Sequence, residues 1–229
     1  MRLTFLGHAS FLVETNGVRL VTDPYSPAIG YEPLDVSADI VTLSHENPKW
    51  HSHLESVGGE YQVVRGLEIT DAPIEAAGIR FGAVKVHENL PHDGPNAMIW
   101  FESEGLRVLH MGDCGHLPLP EQVAACGQVD ILLALASGFP TLPLDELMEF
   151  VRVLRPKYVV PMHFGVPHLA MKALPLSSLV EVWPAKSVRL PPSARESSLT
   201  VIAGEPRPDF PQLCPLWPLR QRAAVGESI

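Results

Sequence analysis

Four polar side chains stand where apolar runs end, far apart along the chain. His45 follows DIVTLS, His87 follows AVKV, Asp113 follows LHMG and His163 follows VVPM. Strand ends are rigid, and the loops leaving them converge on one edge of a layered sheet, so ligands distant in sequence can meet at one point. Three imidazoles and a carboxylate suit zinc, manganese or iron. A cation so held activates a water near neutral pH and polarises a carbonyl or phosphoryl oxygen under attack. His116, in GDCGH, can face the same pocket as an acid or base, or lie on a surface loop. Cys114, Cys126 and Cys214 are scattered and form no CxxC pair, which points to a reducing compartment and leaves the ten histidines as the notable ligand pool.

The elements that must position these residues divide into two halves. Short apolar or alternating runs at 3–6, 10–14, 18–22, 39–43, 79–87, 97–102 and 106–111 predict strands. Asn16-Gly17 predicts a two-residue hairpin, and Ser103-Glu104-Gly105 a tight turn. In the second half, helices over 118–126, 144–154 and 169–182 alternate with strands at 130–136 and 158–162. Pro175 must break or kink the third helix. No short internal repeat is present. Residues 1–203 are expected to form one domain, followed by a proline-rich tail (204–229) that runs over the surface or stays partly disordered; its Phe210, Leu213, Leu216 and Trp217 can pack on the body or on a second subunit.

The 229 residues are 46% apolar and 19% charged, enough for a substantial core. The net charge of -9 disfavours nucleic acid as a partner. No apolar run is long enough for a membrane span, and the first residues lack the order of a signal peptide, so a cytoplasmic protein that touches no membrane is expected.

Several of these stretches together resemble one family. FLGHASFLVE (5–14), VTDP (21–24), VTLSHENP (41–48), VHEN (86–89), LHMGDCGH (109–116) and VVPMHF (159–164) follow the order and spacing of the metallo-β-lactamase-fold hydrolases, in the branch similar to ascorbate-6-phosphate lactonase. The resemblance covers about residues 1–165. It implies an α/β fold, a four-layer αββα sandwich with a site for one or two divalent metal ions, zinc or manganese, along one edge. Position by position, it implies that His45 is the first histidine of the HxHxDH motif. His87 completes the first metal site, Asp113 bridges two metals, and His163 serves the second. His8 and Asp23 fall where they would orient ligands.

The motif itself is altered to HENPKWHSH. Asn47 takes the place of its second histidine, and Lys49 or Trp50 that of its aspartate. With a one-residue gap His51 becomes the last motif histidine; without it Trp50 does, and His51 or His53 must swing in. The gapped alignment also places His53-Leu54-Glu55 on the short helix that follows. The outcomes are a mononuclear centre, a weakened dinuclear one, an empty site, or a site in which the Lys49 ammonium occupies the space of a metal and pairs with Asp113. The implied function is a metal-dependent lactonase or esterase acting on a small molecule, with Lys49 stabilising an oxyanion. The competing reading is a non-catalytic binding or scaffold protein; a nuclease of this fold would need the intact motif. The apolar tail also suggests self-association.

Overall fold

The computed structural model describes residues 1–89, 94–138, 140–189 and 196–219. In chain order the strands are β1 (Arg2–Gly7), β2 (Ser10–Thr15), β3 (Val18–Thr22), β4 (Val36–Ser37), β5 (Ile40–Leu43), β6 (Val57–Gly58), β7 (Gln62–Arg65), β8 (Ile74–Ala76), β9 (Ile79–His87), β10 (Pro95–Ser103), β11 (Leu106–His110), β12 (Ile131–Leu135), β13 (Tyr158–Met162), β14 (Ser198–Thr200) and β15 (Gln212–Leu213). The helices are α1 (Pro120–Cys126), α2 (Leu144–Leu154) and α3 (Leu176–Val182).

Two large sheets result. One has the order β14-β1-β2-β3-β5-β7 and the other β15-β13-β12-β11-β10-β9-β8, while β4 and β6 form a small ribbon. The predicted turns close as their chemistry requires: Asn16 and Gly17 sit at φ 48° and 76°, and Glu104 and Gly105 at 53° and 70°. β11, β12 and β13 run parallel, joined through α1 and α2. Every residue of β12 is buried, as its unbroken apolar run requires.

Alternation along the first sheet builds two apolar layers. Leu3, Phe5, Phe11, Val13, Leu20 and Ile40 enter the main core, shared with the second sheet and with Leu147, Phe150 and Val151 of α2. Leu6, Leu12, Val21, Val41 and Leu43 point the other way, where Leu34, Val36, Leu54, Val57 and Tyr61 cover them. The outer layer on that side is therefore the β4–β6 ribbon, loop and a 3-10 turn at Leu54–Ser56, thinner than the α-helical layer of the expected sandwich. The two-sheet α/β architecture stands.

Two expectations are corrected. The helix predicted over 169–182 is only α3, because Pro175 fixes its own φ, lacks an N–H and so can only begin a helix; the preceding segment instead bonds to loops, with Ala170 N–H donating to Ile29 O. The described part of the tail is not a loose arm. β15 pairs with β13, and Leu213, Cys214 and Leu216 are buried. Trp183 donates from Nε1 to Pro211 O at 3.2 Å and meets Phe210 edge-on. Among the described residues no helix is long and apolar enough to cross a membrane.

Candidate metal centre

The centre is built at the ends of β3, β5, β11 and β13. Asp23 follows β3 and its N–H donates to Thr42 O of β5, which fixes it beside Ser44. Its carboxylate accepts three bonds. Ser44 N–H donates to Oδ1 at 2.8 Å, Ser44 Oγ–H to Oδ2 at 2.5 Å, and His51 Nδ1–H to Oδ2 at 3.1 Å. His51 is delivered by a turn wound on Asn47. The Asn47 carbonyl accepts from Trp50, His51 and Ser52 N–H, and its side-chain Oδ1 also accepts from Trp50 N–H. Asn47, which stands where a motif histidine would be, builds this turn.

The proton positions follow from the partners. Ser44 gives its hydroxyl proton to Asp23, so at 3.0 Å it can only accept from His45 Nδ1–H. Thr141 Oγ1–H donates to Gly138 O, so Ser137 Oγ–H donates to Thr141 and accepts from His163 Nδ1–H at 3.1 Å. His45, His51 and His163 therefore all spend Nδ1–H on a buried outer partner and turn Nε2 inward. This is the arrangement by which proteins orient imidazole ligands for a metal.

Asp113 is the group they face. His51 Nε2 lies 2.9 Å from Oδ2 and His163 Nε2 3.2 Å from Oδ1. Asn96 holds the aspartate's backbone, accepting from Asp113 N–H at Oδ1 and donating from Nδ2 to Met111 O. Gly112 makes this contact possible: at φ 56°, an added Cβ would lie 2.4 Å from Asn96 Oδ1 and 2.7 Å from Ser44 Cβ. His8 closes the cluster, with Nε2 3.3 Å from His51 Nε2 and its backbone carbonyl accepting from His163 N–H. Two overlapping trios, His8-His51-His163 and His45-His51-Asp113, each bring their ligand atoms within 4.8 Å of one another.

Charge within the cluster is unbalanced. Burial opposes a charge on His51, yet Asp113 and Asp23 prevail and raise it to about 10. Burial would raise Asp113, but His51 and His163 hold it well below the usual carboxylate range. Burial and then the neighbouring His51 push His45 down to about 4. His8 is lowered by burial, then by His163 and His51. In the metal-free centre a protonated His51 thus lies between two carboxylates, Asp23 and Asp113. His45 Nε2, Asp113 Oδ1 and His8 Nδ1 are buried without hydrogen-bond partners among the described residues. Asp113 Oδ1 has His163 Nε2 near it, at 3.2 Å. Lone pairs facing one another in a buried imidazole–carboxylate set fit a divalent cation.

Of the sequence-predicted residues, the structure brings together His45, His51, Asp113 and His163, and places Asp23 behind two of them. His87 stands outside: it is exposed at the end of β9. His116 is also outside. Its Nδ1 faces Leu117 O at 3.0 Å and its Nε2 accepts from His87 N–H, so both ring nitrogens are spent on backbone. Lys49 lies on the rim of the cleft above the cluster, its Nζ 5.2 Å over the Trp50 ring. Asp113 pairs with histidines, and among the described residues Lys49 makes no ion pair with it, so the lysine-filled arrangement is not formed. His53 bonds Ser56 Oγ on the 3-10 turn, and His110 is locked between Ala9 O and Gly112 N–H. His92 lies outside the described residues. Sequence reasoning underrated His8, whose signal was its place in GHAS directly after a strand, and overlooked Glu88, which lines the cleft.

The cleft, of ≈ 420 Å³, is lined by Trp50, Pro140 and Met171 as apolar wall, Asp113 and His163 as floor, and Lys49 and Lys172 as cations. The model of the family described as "Beta-lactamase superfamily domain" matches residues 2–163. A UPF0173 metal-dependent hydrolase of Carboxydothermus hydrogenoformans is 28% identical over 195 residues, 72% of this chain and 85% of that one. One from Pelotomaculum thermopropionicum is 25% identical over 221 residues, 83% and 96% of the two chains. Among solved structures, one of the metallo-beta-lactamase superfamily, from Thermotoga maritima, is similar with a TM-score of 0.73 at 29% identity, covering 94% of this chain and 97% of that one.

Proposed function

The chain belongs to the beta-lactamase superfamily domain family and is a metal-dependent hydrolase of the metallo-β-lactamase fold; from that premise we propose that it opens a lactone or ester of a small, negatively charged molecule. The observation that carries this reading is the set of three imidazoles, each held at Nδ1 by a buried partner, with Nε2 of His51 and of His163 against Asp113 and His45 in the same cluster. His45, His51, Asp113 and His163 would hold the ion, with His8 against them. The nitrogen–oxygen donor set suits zinc or manganese, and the three cysteines are buried free thiols. Held by these residues, a divalent cation would supply an activated water near neutral pH and a Lewis acid for the substrate oxygen.

The chain's own groups do the rest. Asp23 fixes the tautomers of His51 directly and of His45 through Ser44, so the ligands need no reorganisation. Trp50, Pro140 and Met171 give a small substrate an apolar wall, and Lys49 and Lys172 give it two positive charges at the rim. Lys49 is the side chain available to meet negative charge as it develops on the substrate oxygen. The free thiols support a reducing, cytoplasmic setting.

Metal analysis paired with a screen of lactones, esters and phosphodiesters tests the proposal. The expected result is at least one equivalent of divalent metal and lactone or ester hydrolysis that is lost on chelation and restored by zinc or manganese. Retention of metal with turnover confined to phosphodiesters overturns the substrate class, and failure to bind any of these metals overturns the whole reading.

A further inference from the structure

The end of β9 alternates strictly. Val84 and Val86 are buried, whereas Lys85 and His87 are exposed. The next residue of the inner row is Glu88, and its backbone N–H donates to Gly94 O. Its side chain is 13% exposed, and Oε1 lies 3.6 Å from His45 Nε2. The loop after Asp113 packs tightly on this segment. Gly115 N–H donates to His87 O, and a Cβ on Gly115 would come within 2.1 Å of Asn89 N and 2.6 Å of the Glu88 carbonyl carbon. That close approach brings Glu88 into the same cleft as Asp113 and His163.

His45 carries its proton on Nδ1, toward Ser44, so Nε2 offers Glu88 a lone pair and no hydrogen. Nε2 is buried and, among the described residues, without a hydrogen-bond partner. A nitrogen and a carboxylate oxygen, both acceptors, thus face each other at ligand-to-ligand spacing: two donors about 2.1 Å from a tetrahedral cation stand about 3.4 Å apart. The 45–53 loop cannot supply a carboxylate of its own. Its one acidic residue, Glu46, accepts from Arg65 Nε at 3.0 Å, and the remaining candidate positions hold Asn47, Lys49 and Trp50.

We propose that Glu88 supplies the metal centre with the carboxylate that the 45–53 loop lacks, sharing a cation with His45. The proposal rests on the metal-dependent reading above. It moves the negative ligand from the motif loop to the end of β9, one residue beyond the histidine that the family resemblance would select.

The test uses the full chain, stripped with EDTA and titrated with Zn²⁺ against a chromophoric chelator, and separately loaded with Co²⁺ to record the visible absorption of the bound ion. Glu88→Gln is expected to bind Zn²⁺ about tenfold more weakly or worse, or to lose an equivalent of metal, and to shift the cobalt spectrum. Glu88→Asp is expected to fall between, and His87→Gln to match the wild type. Melting of the stripped variants checks the fold; should Glu88→Gln melt early, the Glu88→Asp spectrum decides. Wild-type affinity and spectrum in both Glu88 variants overturn the proposal, as does loss of metal in His87→Gln. A wild-type chain that binds neither ion overturns the metal-dependent reading itself, and the proposal with it.

Discussion

Asp23→Asn is the perturbation that separates an oriented metal centre from a cluster of polar neighbours. The side chain keeps its volume, and asparagine tolerates the left-handed backbone of this position, φ 34°, so the change is electrostatic. One amide oxygen can still accept from Ser44 N–H. The amide NH2 then faces Ser44 Oγ and His51 Nδ1, where the carboxylate had accepted. His51 is free to move its proton to Nε2, and Ser44 is free to turn its hydroxyl toward His45. Loss of one outer partner lowers metal affinity about 10- to 100-fold. Because two ligands depend on Asp23, the upper end is expected, about 2.8 kcal/mol at about 1.4 kcal/mol per decade. Ser137→Ala, which releases His163 alone, should cost about tenfold. The assay is competition with a chelator at fixed pH, alongside urea unfolding of the stripped proteins. Removing one member of a buried charge pair should lower stability by about 3 kcal/mol in Asp23→Asn. Metal affinity within about twofold of wild type in Asp23→Asn would refute the orientation argument, since the ligands would then be holding their tautomers unaided.

The remaining predictions concern pH, catalysis and packing. In the stripped protein His51 is raised to about 10, so its contribution is full below its unfolded value and is lost as pH climbs from about 6.5 to 10; stability by denaturant titration should fall across that window, while metal affinity rises about tenfold per unit as the proton is displaced. On the acid side His45, held down at about 4, and His8, also lowered, favour unfolding as pH drops below about 6.5, and the depressed Asp23 and Asp113 add to this below about pH 3.8. Lys49→Gln should leave metal content unchanged and lower kcat about 10- to 100-fold, read from steady-state hydrolysis of the best substrate. Gly112→Ala should destabilise by roughly 2 kcal/mol or more, from its left-handed backbone and the clash with Asn96, and should weaken metal binding by shifting Asp113. Ending the chain at residue 203 should expose the edge of β13 and yield an aggregating or unfolded protein by light scattering and circular dichroism, because Leu213, Cys214 and Leu216 are buried.

Where the sequence is locally periodic, the fold is legible in it. β3, β9, β13 and α2 occupy the residues that alternation or helical spacing marks. β7 and β8 are short and sit at or near sheet edges with mostly partly exposed or exposed residues, so they carry no alternation to detect. β14 and β15 exist because β1 and β13 present open edges to a proline-rich segment, which is a non-local cause. The metal cluster was traceable because its members follow strands directly. His87 matches a family position by residue type, whereas the strand turns it outward. The burial pattern of β9 sends 84 and 86 to one side and 85 and 87 to the other, and Glu88, half-buried just past the strand, continues the inner row in AVKVHE. His116 looked available because only its chain neighbours were visible, and the carbonyl and amide that occupy its ring are fixed by tertiary packing.

The central claim is that a divalent ion is held by imidazole and carboxylate groups at the junction of the strand ends. X-ray absorption at the edge of the bound metal tests it most directly. The predicted spectrum has a first shell of nitrogen and oxygen only, at about 2.0–2.2 Å, with the outer-shell scattering of at least two imidazoles, diminished in His51→Ala and His163→Ala. All three thiols are buried and pushed up to about 12, away from metal chemistry. A sulfur shell at about 2.3 Å, or a spectrum unchanged by loss of His51 and His163, would contradict the account.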